Sequence, residues 1–199
     1  MLFANRLKGG ITQTLIRTLL QDGGYRIVPL GIEEVIRGVS VLPQESYLKL
    51  SLPRVLRSMP DFFVAQEDMQ RTWLLEVKYR KKWNDRVRDE LGVQIGEQVR
   101  AWGPLHLIVF LGTAGKQNAD LPSSWFGVLK LQCTKGSLVA LGTDGNPYAK
   151  WGEITWKHFH RVQDFFDALS AKPQFEQQTL QQVRTMLPRL ADLQVLEQQ

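Results

Sequence analysis

The chain has one cysteine, Cys133, and three scattered histidines, His106, His158 and His160, in 199 residues. A lone cysteine excludes an intrachain disulfide and a cysteine-rich zinc site, and it fits a reducing cytoplasm. The histidines are too few and too far apart for a zinc motif, and His158 and His160 read as decoration of a strand or helix end. No segment approaches the ~20 uninterrupted apolar residues that cross a bilayer. The opening MLFANRLKGG lacks the apolar core of a secretory leader. The expectation is a soluble cytoplasmic protein with no membrane partner. A dominant charge is also lacking: 25 Lys and Arg against 20 Asp and Glu leave +5. That favours an anionic partner while supplying only a modest long-range field.

Apolar residues, by contrast, are ample. At 43% of the chain, they suffice for one domain with helices packed around a sheet. Leu7, Ile11, Thr14, Leu15, Thr18 and Leu19 recur at helical spacing, and Asp22-Gly23-Gly24 stops that helix. Tyr25 to Leu30 reads as a strand, and Glu33 to Ile36 as a short helical turn. Asp61 to Ala65 and Thr72 to Tyr79 read as strands joined by the polar turn Gln66 to Arg71, hence a hairpin. A helix is expected over Asp85 to Trp102, with the stripe Val87, Leu91, Ile95, Val99 and Trp102, ended by Gly103-Pro104. Leu105 to Leu111 has the almost wholly apolar pattern of a central strand, and Trp125 to Cys133 is another strand after the polar loop Gly112 to Ser124.

The remaining chain is expected to add periphery. Ser137 to Leu141 and Lys150 to Trp156 flank the turn sequence Thr143-Asp144-Gly145-Asn146, predicting a peripheral hairpin. The last forty residues carry the helical series Leu180, Val183, Leu187, Leu190, Leu193 and Leu196 after a break at Pro173. That stripe either packs on the domain or serves a homodimer. Residues 1–199 therefore read as one α/β domain with a central mixed sheet flanked by helices. Residues 1–133 form its core, and 134–199 hold the peripheral hairpin and carboxyl-terminal helices.

The hairpin carries the chemistry. With its turn centred between Asp68 and Met69, opposed residue numbers sum to 137, so Asp61 faces Glu76. Lys78, two residues on, projects to the same face, whereas Trp73, Leu75 and Val77 point away. Two neighbouring carboxylates can hold a hard cation such as Mg²⁺, which steadies charge on a phosphate and lowers the pKa of its bound water. Lys78 could then orient or help deprotonate that water. A structural ion pair of Lys78 with Glu76 or Asp61 is the plainer alternative.

Met59-Pro60-Asp61-Phe62-Phe63 followed by Leu74-Leu75-Glu76-Val77-Lys78 resembles the signature of the PD-(D/E)XK, or restriction-endonuclease-like, nuclease superfamily. The element order, helix, three antiparallel strands, helix and strand, resembles its core through about Leu131. The resemblance implies Asp61 and Glu76 as metal ligands with the Val77 carbonyl, Lys78 as the catalytic lysine, and Mg²⁺ (or Mn²⁺ in its place) as cofactor. It also implies a glutamine on the following helix, for which Gln94 and Gln98 are candidates. Many relatives place a further glutamate on the first helix, where this chain has only Gln13 and Thr14. Glu33 or Glu34 is then the candidate extra ligand.

Tyr79-Arg80-Lys81-Lys82-Trp83, with Arg86 and Arg88 beyond, mixes cations with aromatics as phosphate neutralisation and base stacking require. Arg80, Lys81, Lys82 and Arg86 are therefore DNA-binding candidates, with RNA left open. The expected activity is metal-dependent hydrolysis of DNA phosphodiesters. Two alternatives stand beside it: an inactive DNA-binding or assembly protein of the same fold, and a protein-interaction module using its carboxyl-terminal helix. Trp125, Trp151 and Trp156 are expected to pack rather than stack on bases.

Overall fold

Helix α1 (Leu2–Asp22) buries Thr12, Ile16, Leu19 and Leu20 and leaves Thr14, Arg17 and Thr18 exposed. One stripe of the helix therefore lies on the sheet and the other faces out. It ends where the sequence places its stop: Gly24 takes φ 87°, and the Tyr25 N–H closes on the Leu20 carbonyl at 3.0 Å. Only a residue without a Cβ adopts that turn cheaply. The computed structural model describes residues 2–39, 42, 44–112, 125–169 and 185.

A seven-stranded mixed sheet follows, its strands lying side by side in chain order. They are β1 (Arg26–Pro29), β2 (Phe62–Ala65), β3 (Thr72–Arg80), β4 (Leu105–Leu111), β5 (Phe126–Thr134), β6 (Ser137–Leu141) and β7 (Pro147–Lys150). Only β3 and β4 run parallel. Such a pair needs a crossover, and α5 (Asp85–Trp102) provides it. The short helices α2 (Ile32–Val35), α3 (Gln44–Lys49) and α4 (Arg54–Arg57) lie between β1 and β2, and α6 (Val162–Phe165) follows β7.

Helix α5 has the predicted limits because its ends are chemically marked. The Asn84 Oδ1 accepts the Val87 N–H at 2.9 Å, and Gly103 leaves the helix at φ 86°. Leu91, Ile95 and Val99 are buried as the stripe predicts. They form one core layer with Leu105, Leu107, Val109, Leu129 and Leu131. The opposite layer joins Ile16, Leu19 and Leu20 of α1 to Leu75, Val77, Ile108, Phe110, Val128 and Phe166. Alternation along β4 thus feeds both cores, which is why Leu105 to Leu111 is buried at every position.

The carboxyl-terminal expectations need correction. The hairpin is present at one edge of the sheet, where β6 pairs with β5 from Lys130↔Leu141 to Thr134↔Ser137 and so widens it. Its second strand lies at Pro147–Lys150, and Trp151–Glu153 and Trp156–His158 are 3₁₀ turns instead of strand. The tryptophans drive this: Trp151 and Trp156 pack into the α5-side core, and the Trp151 Nε1–H donates to the Arg88 carbonyl at 3.0 Å. A flat strand could not turn both indoles inward. The Leu180 to Leu196 series and the loop from 113 to 124 lie outside the described residues. Among the described residues no helix is long and apolar enough to cross a membrane.

Candidate metal and nucleic-acid site

The β2–β3 hairpin has the register that its turn predicts. Met69 sits at φ 59° in the turn, and Phe62↔Leu75 through Ala65↔Thr72 pair with numbers summing to 137. Continued by one residue, that pairing sets Asp61 against Glu76. Trp73, Leu75, Val77 and Tyr79 pack on the α1 side, while Leu74 packs toward α5. Glu76 and Lys78 consequently emerge on the α5 face.

Glu76 is 1% exposed. Its Oε1 pairs with the Lys78 ammonium, and its Oε2 accepts from the Gln98 Nε2 at 2.8 Å. Asp61 is held from two directions: its Oδ1 accepts from the Gln13 Nε2 at 2.9 Å and its Oδ2 from the Val77 N–H at 2.7 Å. Burial pulls the Lys78 pKa down, but Glu76 and then Asp61 outweigh it and leave the pKa above the ordinary lysine value. Lys78 is therefore an ammonium at neutral pH. So far as Lys78 titrates, its contribution to stability is present below about pH 10 and is lost as pH rises through the elevated folded value. Lys78 keeps 18% of its side chain exposed, so solvent and ligands can reach it.

These residues suit a cation in charge and donor type. Two carboxylates and one ammonium leave a net negative site, and Mg²⁺ is commonly held by one or two carboxylates with the remaining positions left to water and phosphate. The N–H and C=O of one strand residue point to the same edge, so the Val77 carbonyl faces the same side as the N–H that Asp61 accepts. Register extension sets Pro60 opposite Val77, and proline has no N–H to offer that carbonyl. Among the described residues, however, no three or more His, Cys, Asp or Glu side chains cluster as a metal-holding group.

The remaining candidates separate clearly. Gln98 is buried against Glu76, whereas Gln94, one turn earlier, is exposed. Glu34 is exposed and shares with Asp61 a cleft of about 470 Å³. The Glu33 side chain lies outside the described residues. Lys81 and Lys82 are exposed, and Arg80 is partly buried with its Nη1–H donating to the Tyr79 carbonyl at 2.7 Å. Burial lowers the Arg80 pKa, opposed by Glu90 and Glu76. Arg86 pairs with Glu90 at 2.8 Å, and Arg88 with Asp85 at 2.8 Å and Asp89 at 3.1 Å. Both arginines are thus partly neutralised. The aromatics of this run are not a stacking platform. Trp83 packs with Trp151, Trp156 and Phe159 in the core, and Tyr79 turns toward α1.

Two features escaped the reading of the sequence. Gln13 was noted only as standing where a glutamate might have been, yet it orients Asp61. Lys8 is fully buried, with its Nζ 5.7 Å from the centre of the Tyr79 ring. Neither that Nζ nor the Tyr79 hydroxyl has a hydrogen-bond partner among the described residues. The signal for Lys8 was its spacing, four residues before buried Thr12 and eight before buried Ile16. Compared with protein-family models, curated proteins and solved structures, the chain finds no match.

Proposed function

We propose that the chain is a metal-dependent nuclease with a restriction-endonuclease-like core, hydrolysing phosphodiester bonds in DNA. The observation that carries this reading is Glu76, buried in the sheet and bound to Lys78, with the charge of Asp61 acting on the same lysine. A purely structural ion pair at this depth is often no better than apolar packing, so such a cluster is economically explained by chemistry.

Asp61, Glu76 and the Val77 carbonyl would hold Mg²⁺, with Mn²⁺ as a substitute. When bound, the cation supplies Lewis-acid stabilisation of phosphoryl charge and makes water a better nucleophile at neutral pH. Gln13 and Gln98 fix the two carboxylates by hydrogen bonds and so limit their reorganisation. Lys78, charged at neutral pH, acts by donating: it orients the attacking water and offsets charge on the phosphate, and it is a poor base. The water oxygen forms a bond to phosphorus, the bond from phosphorus to the leaving oxygen breaks, the attacking water gives a proton to solvent, and the leaving oxygen acquires one. Arg80, Lys81 and Lys82 would neutralise flanking phosphates.

The test is cleavage of labelled single-stranded, duplex, flap and four-way-junction DNA in Mg²⁺, Mn²⁺ or EDTA. Wild type is expected to cut at least one substrate with metal, and EDTA, Asp61→Ala and Lys78→Ala are each expected to abolish the cutting. A second reading, an inactive DNA-binding or assembly protein of this fold, is favoured by the protein donors already on all four carboxylate oxygens. It predicts salt-sensitive DNA binding that Asp61→Ala leaves intact, and no cleavage with any metal.

A further inference from the structure

Helix α1 contains two adjacent glycines, Gly9 and Gly10, far from either end. Glycine is the least favourable residue in a helix interior apart from proline, so such a pair calls for a reason. Packing is the usual one, and it holds at Gly23 and Gly92, where an added Cβ would run into the Leu169 and Trp151 side chains. It does not hold at Gly9 or Gly10, where an added Cβ meets nothing within 4 Å among the described residues. Both border open space instead: the cleft of about 470 Å³ between α1 and the β1–α2 turn.

The lining of that cleft mixes polar and apolar groups, sets Arg17 against Glu34 and Asp61, and reaches the candidate site at Asp61. Gly10, Gln13, Thr14 and Arg17 follow the i, i+3, i+4, i+7 spacing of one helix face, and Asp61 forms part of the opposite wall. Arg17 is exposed and makes no ion pair with the described residues, so its guanidinium is available for a phosphate. A space of that volume is about 10 Å across, less than the roughly 12 Å width of the major groove of B-form DNA alone. A single strand fits within such a space, whereas an intact duplex meets it only at its mouth.

Building on the nuclease reading, we infer that this cleft seats a single DNA strand, with Gly9 and Gly10 giving its backbone close approach to α1 and Arg17 holding a phosphate on the path to Asp61. The substrate class is then a single-stranded end or flap.

The experiment is fluorescence anisotropy of a labelled 12-nucleotide strand and its blunt duplex over a salt series. Wild type is compared with Arg17→Ala and Gly10→Gln, and each is scored for cleavage in Mg²⁺. The strand is expected to bind about tenfold more tightly than the duplex, and Arg17→Ala to reduce the single-strand salt slope by about 0.7. Gly10→Gln is expected to raise Tm by about 2 °C, because glutamine favours helix, while weakening strand binding by filling the cleft. Equal binding of strand and duplex, or wild-type strand affinity in both variants, would overturn the assignment. Cleft-dependent strand binding without cleavage would uphold the cleft and sink the nuclease. Duplex cleavage unaffected by Arg17→Ala and Gly10→Gln would do the reverse.

Discussion

Two lysines lie on opposite sides of strand β3, Lys8 fully buried and Lys78 with 18% of its side chain exposed, and their surroundings could hardly differ more. Lys78 on the α5 side pairs with Glu76 and lies in the field of Asp61. Lys8 on the α1 side has the Tyr79 ring and no hydrogen-bond acceptor among the described residues. A buried ammonium is unfavourable unless its charge is answered. Lys78 is answered by two carboxylates that are themselves anchored by Gln98, Gln13 and the Val77 N–H, a constellation with more donors and charges than a stabilising pair needs. Burial alone therefore does not mark a functional lysine; the organised charge around it does.

Substitution at the two positions should move stability in opposite directions. Lys78→Met strands the Glu76 carboxylate in the core and is expected to cost about 3–5 kcal/mol in urea denaturation, with loss of any cleavage. A third buried base, His106, answers burial by staying neutral. Burial first, and then the charge of Lys130, pull its pKa from 6.5 down to about 3. Above pH 6.5 it is neutral folded or unfolded, but between 6.5 and about 3 only the unfolded chain takes the proton. Stability should fall by about 1.4 kcal/mol per pH unit on acidification through that window, and His106→Phe should remove this slope.

Lys8→Met exchanges a buried amine with no hydrogen-bond acceptor among the described residues for an apolar chain of similar length and is expected to stabilise the fold by about 1–3 kcal/mol. A loss of that size instead would mean that Lys8 has a partner and that the contrast with Lys78 fails. Gln98→Leu removes one donor from Glu76 and should cost about 1–2 kcal/mol while weakening Mn²⁺ binding, a readout that simple loss of packing would not move. Smallest of all, Arg86→Ala breaks an exposed pair with Glu90 and should change stability by less than about 0.5 kcal/mol. Any effect of Arg86→Ala should appear in the salt dependence of DNA binding.

How much of this was legible in the sequence follows from which forces were local. Asn84 and Gly103 mark the ends of α5 by their own chemistry, and the short Gln66 to Arg71 turn fixes the β2–β3 register from Phe62↔Leu75 to Ala65↔Thr72. Trp83 misled because an aromatic inside a basic run has the same local pattern whether it stacks on bases or fills a core. Trp151 and Trp156 likewise look like strand residues until the α5 surface that draws them inward is present. Gln98 and Gln94 are indistinguishable one turn apart in the sequence, and only the packed structure buries Gln98 against Glu76 while leaving Gln94 exposed. The two α1 glycines carried a signal in plain view, but its meaning depends on the empty space beside them.

The central claim is that Asp61 and Glu76 are arranged for a cation and not only for Lys78. It is tested most directly by titrating the protein with Mn²⁺ and following free Mn²⁺ by electron paramagnetic resonance, alongside the Asp61→Asn and Glu76→Gln variants with their folding checked by circular dichroism. The account predicts saturable Mn²⁺ binding by wild type, competed by Mg²⁺ and lost in both folded variants. No binding by wild type, or binding unchanged in the variants, would contradict it and leave the cluster a buried ion pair.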